Sequence, residues 1–404
     1  MVTIAAADGI PVIDLDPFAE DNLRHPSELH RAMREAGPVV WLARHGVYAT
    51  GRFEPAGEVL SNWKRFTSAR GVGMLDFAKA EPWWREKAVL IESDPPRHNE
   101  IRTLVGRVLA PSSVAAFKDD FTAQAHHLLD RVLQSNEVDA HRDVAEVYPL
   151  KVFGDALGID ADSREQLLIF GDMGFNNFGP QNAVLERSMA LGKEAGTIEW
   201  MMERTKRTAV REGSIGARLH ALSESGLLTP AEAWNVMRGQ LTAGVDTTIT
   251  AIGHVLLCLA GDPVQYRALR EDPELASSAF EEAVRHGSPL QTLFRTISAD
   301  TTVGGQPVRG DTKIMISIAA ANRDPAQWVD PDRFDLSRRT YGHLGFGRGV
   351  HTCVGMNIAR LEVECLLQAI VERVAAMELA GEPHRGINNS VAKYESIPIR
   401  VRAV

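Results

Sequence analysis

The chain has 404 residues, with 44 Lys and Arg against 53 Asp and Glu, a formal net charge of −9. That acidic excess argues against nucleic acid or an anionic membrane as partner, while 44% hydrophobic and 24% charged residues describe a globular protein able to bury a large core. Three cysteines, Cys258, Cys353 and Cys365, are too few and too scattered for a disulfide framework, which points to a reducing, cytoplasmic setting.

From the N-terminus, Met1 to Pro11 has neither the basic start nor the apolar core of a signal peptide. Runs such as Val255 to Ala260 are too short to span a bilayer, so no membrane anchor is expected. Val39 to Thr50 carries a strand pattern. In the segment Asp94-Pro95-Pro96-Arg97-His98-Asn99-Glu100-Ile101-Arg102, His98 and Arg102 stand at i and i+4, one face of a helix.

The clearest helix runs from about Pro230 to Ala260. Thr229-Pro230-Ala231-Glu232 supplies an N-cap, a proline at N1 and a capping-box glutamate, and Gly261-Asp262-Pro263 stops it. Such a helix is roughly 45 Å long. Its middle, Leu241 to Leu257, carries a single formal charge, at Asp246, and is therefore expected to be surrounded by protein. Between Thr301 and Ile318, the apolar runs Thr302-Val303 and Ile314-Met315-Ile316 alternate with Gly304-Gly305 and Gly310-Asp311, as in hairpins. With no repeat and no linker, the expected architecture is one mainly α domain, residues 1–404, with a small β region.

In Phe346-Gly347-Arg348-Gly349-Val350-His351-Thr352-Cys353-Val354-Gly355, three glycines surround one cysteine. They let the backbone turn tightly, approach a flat partner and aim main-chain N–H groups at a sulfur. Ile358, Leu361, Cys365 and Ala369 then recur at helical spacing, so Cys353 precedes a helix N-terminus whose dipole favours the thiolate. Cys258 and Cys365 lie in apolar helical contexts and read as packing residues.

The complete pattern FGxGxHxCxG resembles the haem-binding signature of the cytochromes P450. The resemblance implies the P450 fold, a long central helix over one haem b, and Cys353 as the thiolate ligand to iron. Glu282-Ala283-Val284-Arg285 resembles the family's ExxR element, implying an ion network of Glu282, Arg285 and Arg333 behind the haem. The segment from Asp94 resembles the start of the family's C helix, so His98, Arg102, Arg295 and His351 are the implied partners of the haem propionates.

Within the long helix, Ala243-Gly244-Val245-Asp246-Thr247-Thr248 resembles the family's acid-alcohol motif. Asp246 and Thr247 are then the catalytic pair that relays protons to bound O2, in a helix locally opened at Gly244. The two electrons are expected from a ferredoxin served by an NAD(P)H-dependent reductase, docking near Arg348, Arg360 and Arg107.

For the substrate pocket, the family's walls map onto Arg70 to Leu90, Gly171 to Gln181, Arg238 to Thr247 and Leu290 to Phe294. Phe178 and Phe294 are expected to sandwich an aromatic ring, with Leu293, Val245, Ala243 and Gly244 closing a narrow slot. Ser68 to Met74 and Phe175 to Gln181 resemble the P450 subgroup that demethylates para-methoxybenzoates, and Arg238 is placed to anchor a carboxylate. The reading is hydroxylation or oxidative O-demethylation of a small aromatic substrate, as in aromatic compound catabolism. Its alternatives are a P450 hydroxylase of a terpenoid, fatty acid or biosynthetic intermediate, and a haem-binding sensor or carrier without turnover.

Overall fold

The computed structural model describes residues 9–80 and 84–404. Residues 1–8 of the N-terminal reading and 81–83 of the expected pocket wall lie outside the described residues.

The long helix spans Pro230–Gly261, one residue beyond the expected end. Its capping box is formed: Thr229 Oγ1 accepts from Glu232 N at 3.2 Å, and Glu232 Oε2 accepts from Thr229 N at 2.9 Å. At its other end Asp262 turns away and caps the next helix, Pro263–Glu271, accepting from Val264 N at 3.0 Å. By length and composition the long helix would suffice to cross a membrane, contrary to the expectation from short apolar runs. Within its most apolar window, however, 67% of the helix is buried against protein. Helices Val147–Leu157, Gln166–Asn176, Ile215–Glu224 and Leu275–Gly287 pack around it. Leu241, Val245, Ile252 and Leu256 thereby join Phe153 and Phe170 in the main core.

A six-stranded sheet stands beside this helical body. Its strands are β1 (Val12–Ile13), β2 (Val40–Leu42), β3 (Val47–Thr50), β4 (Phe66–Thr67), β5 (Thr292–Ile297) and β6 (Lys313–Ser317), in the order β1-β2-β3-β6-β5-β4. The pairs β1–β2 and β3–β6 are parallel, and the rest are antiparallel. The expected hairpin is present as Thr301–Val303 paired with Gln306–Val308, its turn made by Gly304 and Gly305 at φ of +54° and +80°. Glycine takes two such angles in succession without strain.

The ExxR helix, Leu275–Gly287, buries Glu282 and Arg285 completely. Arg285 grips the carboxylate with two bonds, of 2.6 and 2.7 Å, and donates to the carbonyls of Asn322, Pro331 and Arg333. The second arginine on Glu282 is Arg338, at 3.1 Å, and not Arg333. Arg333 offers its carbonyl to the network while its side chain is exposed. The turn after Pro331 carries main chain past Arg285, and only the later arginine reaches back.

Candidate functional site

The cysteine loop hangs from the ExxR helix. His343 Nε2 meets Glu281 Oε2 at 2.9 Å, and its Nδ1 accepts from Gly345 N at 3.1 Å. Leu344 N donates to Asn322 Oδ1 at 2.8 Å, and Cys353 N closes the loop on Phe346 O at 2.8 Å. Gly349 has a φ of +76°, and a Cβ there would sit 2.8 Å from Ser61 Cα, so both its backbone and its space demand glycine. Three residues after Cys353 the helix Met356–Arg373 begins. Burial pushes the Cys353 thiol up, while the N–H groups of Gly355 and Met356 and the guanidinium of Arg102 favour its thiolate.

Around this sulfur stand four basic side chains that bond no carboxylate. The rings of His98 and His351 lie 4.3 Å apart, and the Nε2 atom of each is buried without a hydrogen-bond partner. Asp94 Oδ1, at 3.9 Å from His351 Nε2, is too far to bond. Burial lowers both imidazoles, His351 to about 4. Arg295 is buried on β5 and bonds only the carbonyl of Phe294, at 2.8 Å; burial lowers it to about 10. Among the described residues, no carboxylate lies within 4 Å of Arg102 or Arg295. Buried cations and orphaned imidazoles are costly unless an anion meets them, and a planar group with two carboxylates fits this set. The five residues expected to hold haem are therefore brought together.

On the long helix, Ala243 is exposed and Thr247 partly exposed, while Leu241, Val245, Thr248 and Ile249 around them are buried. These two residues form an accessible i, i+4 stripe. Thr247 Oγ1 donates to Ala243 O at 2.6 Å, and the helix remains unbroken there. Gly244 does not open it. A Cβ at Gly244 would overlap the ring of Phe153, so this glycine serves contact with the helix Val147–Leu157 and does not line the slot. Asp246 points elsewhere again, its carboxylate filling the space a side chain at Gly171 would need. Burial raises Asp246 well above the usual carboxylate range; Lys393 opposes this, and Asp172 and Glu146 add to it. Lys393 is itself paired with Asp172 at 2.7 Å, and Asn388 donates to the same carboxylate at 3.1 Å. Sequence reading missed this surrounding, since its members are far apart in the chain.

The pocket differs from expectation at one wall. Leu293 clusters with Val72 and the partly buried Phe178, which meets Phe175 edge-on at 5.8 Å. Phe294 lies on the opposite face of β5, packed with Met33 and Met315 and near-parallel to Phe18 at 6.5 Å. Strand side chains alternate, so Leu293 and Arg295 share one face and Phe294 takes the other. The expected sandwich of Phe178 and Phe294 does not form. Arg238 is buried, donates to Glu86 O at 3.2 Å and lies 5.0 Å over the Trp234 ring. Burial, helped by Arg85, lowers it to about 10, and among the described residues no carboxylate lies within 4 Å of it. Its neighbour Asn235 bonds the segment before the C helix, Arg97–Val108, twice, accepting from Val89 N at 3.0 Å and donating to Lys87 O at 2.9 Å.

Of the three arginines expected to make a basic patch, Arg107 is exposed and Arg348 stacks 5.1 Å over Phe53. Arg360 is neutralised by Glu281 at 2.6 Å. Cys365 packs in the core as expected, whereas Cys258 also sits beside two imidazoles.

The cytochrome P450 family profile matches residues 214–383. Cytochrome p450 CYP199A2 of Rhodopseudomonas palustris is 42% identical over 394 residues, covering 97% of this chain and 95% of the relative. Putative cytochrome P450 126 of Mycobacterium tuberculosis is 32% identical, covering 97% and 99%. Among solved structures, cytochrome P450 CYP109Q5 from Chondromyces apiculatus is 30% identical with a TM-score of 0.80, covering 97% of this chain and 99% of that one. The chain thus belongs to the cytochrome P450 family, and is a haem b monooxygenase whose iron is held by a cysteine thiolate.

Proposed function

We propose that Cys353 is the iron ligand, that His98, Arg102, Arg295 and His351 hold the haem propionates, and that Asp246 and Thr247 deliver protons for hydroxylation or O-demethylation of a small aromatic acid. The observation that carries the haem assignment is the set of four basic side chains beside Cys353 that bond no carboxylate, two of them imidazoles whose Nε2 atoms are buried and unpaired. When bound, haem supplies oxygen activation, using O2 and two electrons to oxidise a C–H bond of the substrate.

The protein's own part is proton handling and orientation. Thr247 commits its hydroxyl hydrogen to Ala243 O, which leaves its lone pairs free to accept from water. Rotating the hydroxyl lets it donate in turn. Asp246, raised well above the usual carboxylate range by burial, is the relay group that reloads this position from the Asp172 and Lys393 side. Arg238 stands eight residues before Asp246, about 12 Å along the helix, and its unmatched guanidinium supports the anchoring of a substrate carboxylate. Phe178, Leu293 and Ala243 supply apolar walls between anchor and iron. We assign the electrons to a ferredoxin with its NAD(P)H-dependent reductase, docking over Cys353 near Arg107 and Arg348, and place the chain in the cytoplasm as one domain, 1–404.

Two spectra test this. The reduced-CO absorbance should lose its thiolate-type red shift in Cys353→His. Adding para-methoxybenzoate should blue-shift the Soret band, and Arg238→Met should weaken that response about 10- to 100-fold, the value of a charged hydrogen bond. Methoxybenzene, which lacks the carboxylate, should bind both proteins alike. Absence of a blue shift at millimolar para-methoxybenzoate would refute the substrate while leaving the haem site standing.

A further inference from the structure

His254 and Cys258 lie one turn apart on the long helix, and His286 follows Arg285 on the ExxR helix. Their donor atoms, His254 Nε2, Cys258 Sγ and His286 Nδ1, all lie within 4.8 Å of one another. Nothing in the P450 reaction described above uses them.

The hydrogen bonds fix where the protons are. His286 Nε2 lies 3.0 Å from the carbonyl of Asp332, which can only accept, so in the neutral ring Nδ1 keeps its lone pair. His254 Nε2, 2.8 Å away, therefore donates to it, and His254 Nδ1 accepts from Tyr394 Oη at 2.7 Å. His286 is thus oriented as metal-ligating histidines are, its outer N–H given to a carbonyl, and His254 is held at its outer nitrogen by Tyr394.

The distances suit one ion. In a tetrahedral site with Zn–N of about 2.05 Å and Zn–S of about 2.3 Å, nitrogen and sulfur ligands stand about 3.5 Å apart and two nitrogens about 3.3 Å apart. Cys258 Sγ lies 3.5 Å from His254 Nε2 and 3.8 Å from His286 Nδ1, so two edges are already in place. The third, at 2.8 Å, must open by about 0.5 Å to reach that tetrahedral spacing.

We propose that His254, Cys258 and His286 form a second metal site, which takes Zn2+ with water as the fourth ligand. On binding, the His254 proton moves from Nε2 to Nδ1, where it donates to Tyr394, and the Cys258 thiol releases one proton to solvent. The ion and thiolate together bring one positive charge. Of the neighbouring cations, Arg323 is neutralised by Asp332 at 2.8 Å and Arg285 by Glu282, so Arg385 is the one that opposes the ion. Cys258 and His286 are partly exposed, which gives the ion a path in. The site would clamp the long helix to the ExxR helix two turns beyond the Asp246–Thr247 pair.

The test uses the purified haem-loaded enzyme, stripped with a chelator, given Zn2+ and dialysed, with zinc and iron then counted by mass spectrometry. We expect about one zinc per iron, falling at least tenfold in Cys258→Ala and in His286→Gln, with iron content and the reduced-CO spectrum unchanged. Less than half a zinc per iron in the wild type, or retention unaltered in Cys258→Ala, would overturn the proposal. Should the variants fail to fold, zinc-edge absorption on the wild type decides: one sulfur at about 2.3 Å with two nitrogens at about 2.0–2.1 Å supports the site, and a shell of oxygen and nitrogen without sulfur refutes it. Both readouts are independent of the substrate reading.

Discussion

Arg338 Nε donates to Glu282 Oε1 at 3.1 Å, which makes Arg338 the outer arginine of the buried ion network behind the cysteine loop. Glu282 is fully buried, and it also accepts from the main-chain N–H of Asp335 at 3.0 Å. Arg338→Ala should lower unfolding stability by about 1–3 kcal/mol, the cost of depriving a buried carboxylate of a charged bond. Arg333→Ala, at an exposed side chain, should stay within about 0.5 kcal/mol of wild type. Glu282→Ala strands Arg285 and should cost about 3–5 kcal/mol. Denaturant midpoints of the three variants check the order, and equal effects at 333 and 338 would contradict it.

Neighbouring residues of β5 should respond in different experiments. Phe294→Ala removes a fully buried ring and should cost about 3–5 kcal/mol of stability, with no change in the ligand-induced Soret shift. Leu293→Ala should alter ligand affinity. A spectral titration beside a melting curve separates the two, and a pocket effect from Phe294→Ala would mean that the face assignment is wrong.

Gly244→Val should destabilise the fold by about 1–3 kcal/mol through overlap with Phe153. The same substitution in a Phe153→Ala background should cost less, giving a positive coupling in a double-mutant cycle. Independent, additive effects would place the crowding elsewhere.

Lys313 is buried on β6 and donates to the carbonyls of Arg70 and Gly71 at 3.0 and 2.7 Å. Burial lowers it from 10.5 to about 7. Between those values the unfolded chain holds a proton that the folded chain does not, so this group makes stability rise with pH from about 7 to about 10.5, by up to about 1.4 kcal/mol per unit. Below pH 7 the lysine is charged in both states and adds no slope. Lys313→Met should remove this slope from denaturant unfolding measured across that range, and an unchanged slope would assign it to other groups.

What was legible in the chain follows the range of each interaction. The Thr229 to Glu232 capping box needs four residues in a row, and the Gly304-Gly305 turn needs two; both formed as read. The cysteine loop was equally compact. Arg338 could not be told from Arg333 by spacing, because the choice depends on how the chain folds back over Glu282. Phe294 was misassigned for a different reason. The pocket wall Leu290 to Phe294 runs into the strand Thr292–Ile297, where adjacent side chains take opposite faces and cannot share a pocket. The helix around Gly244 was expected to open, but Thr247 bonds Ala243 O without breaking it, and Phe153 already explains the glycine.

Asn235 sets a condition on how the molecule can breathe. It holds Val89 N and Lys87 O at once, so the segment before the C helix and the first third of the long helix shift as a unit or part by losing both bonds together. Any route to the interior that passes between them opens in one step, with the Val89 amide uncovered at that moment. The exchange rate of that single amide hydrogen with solvent then reports how often the doorway stands open.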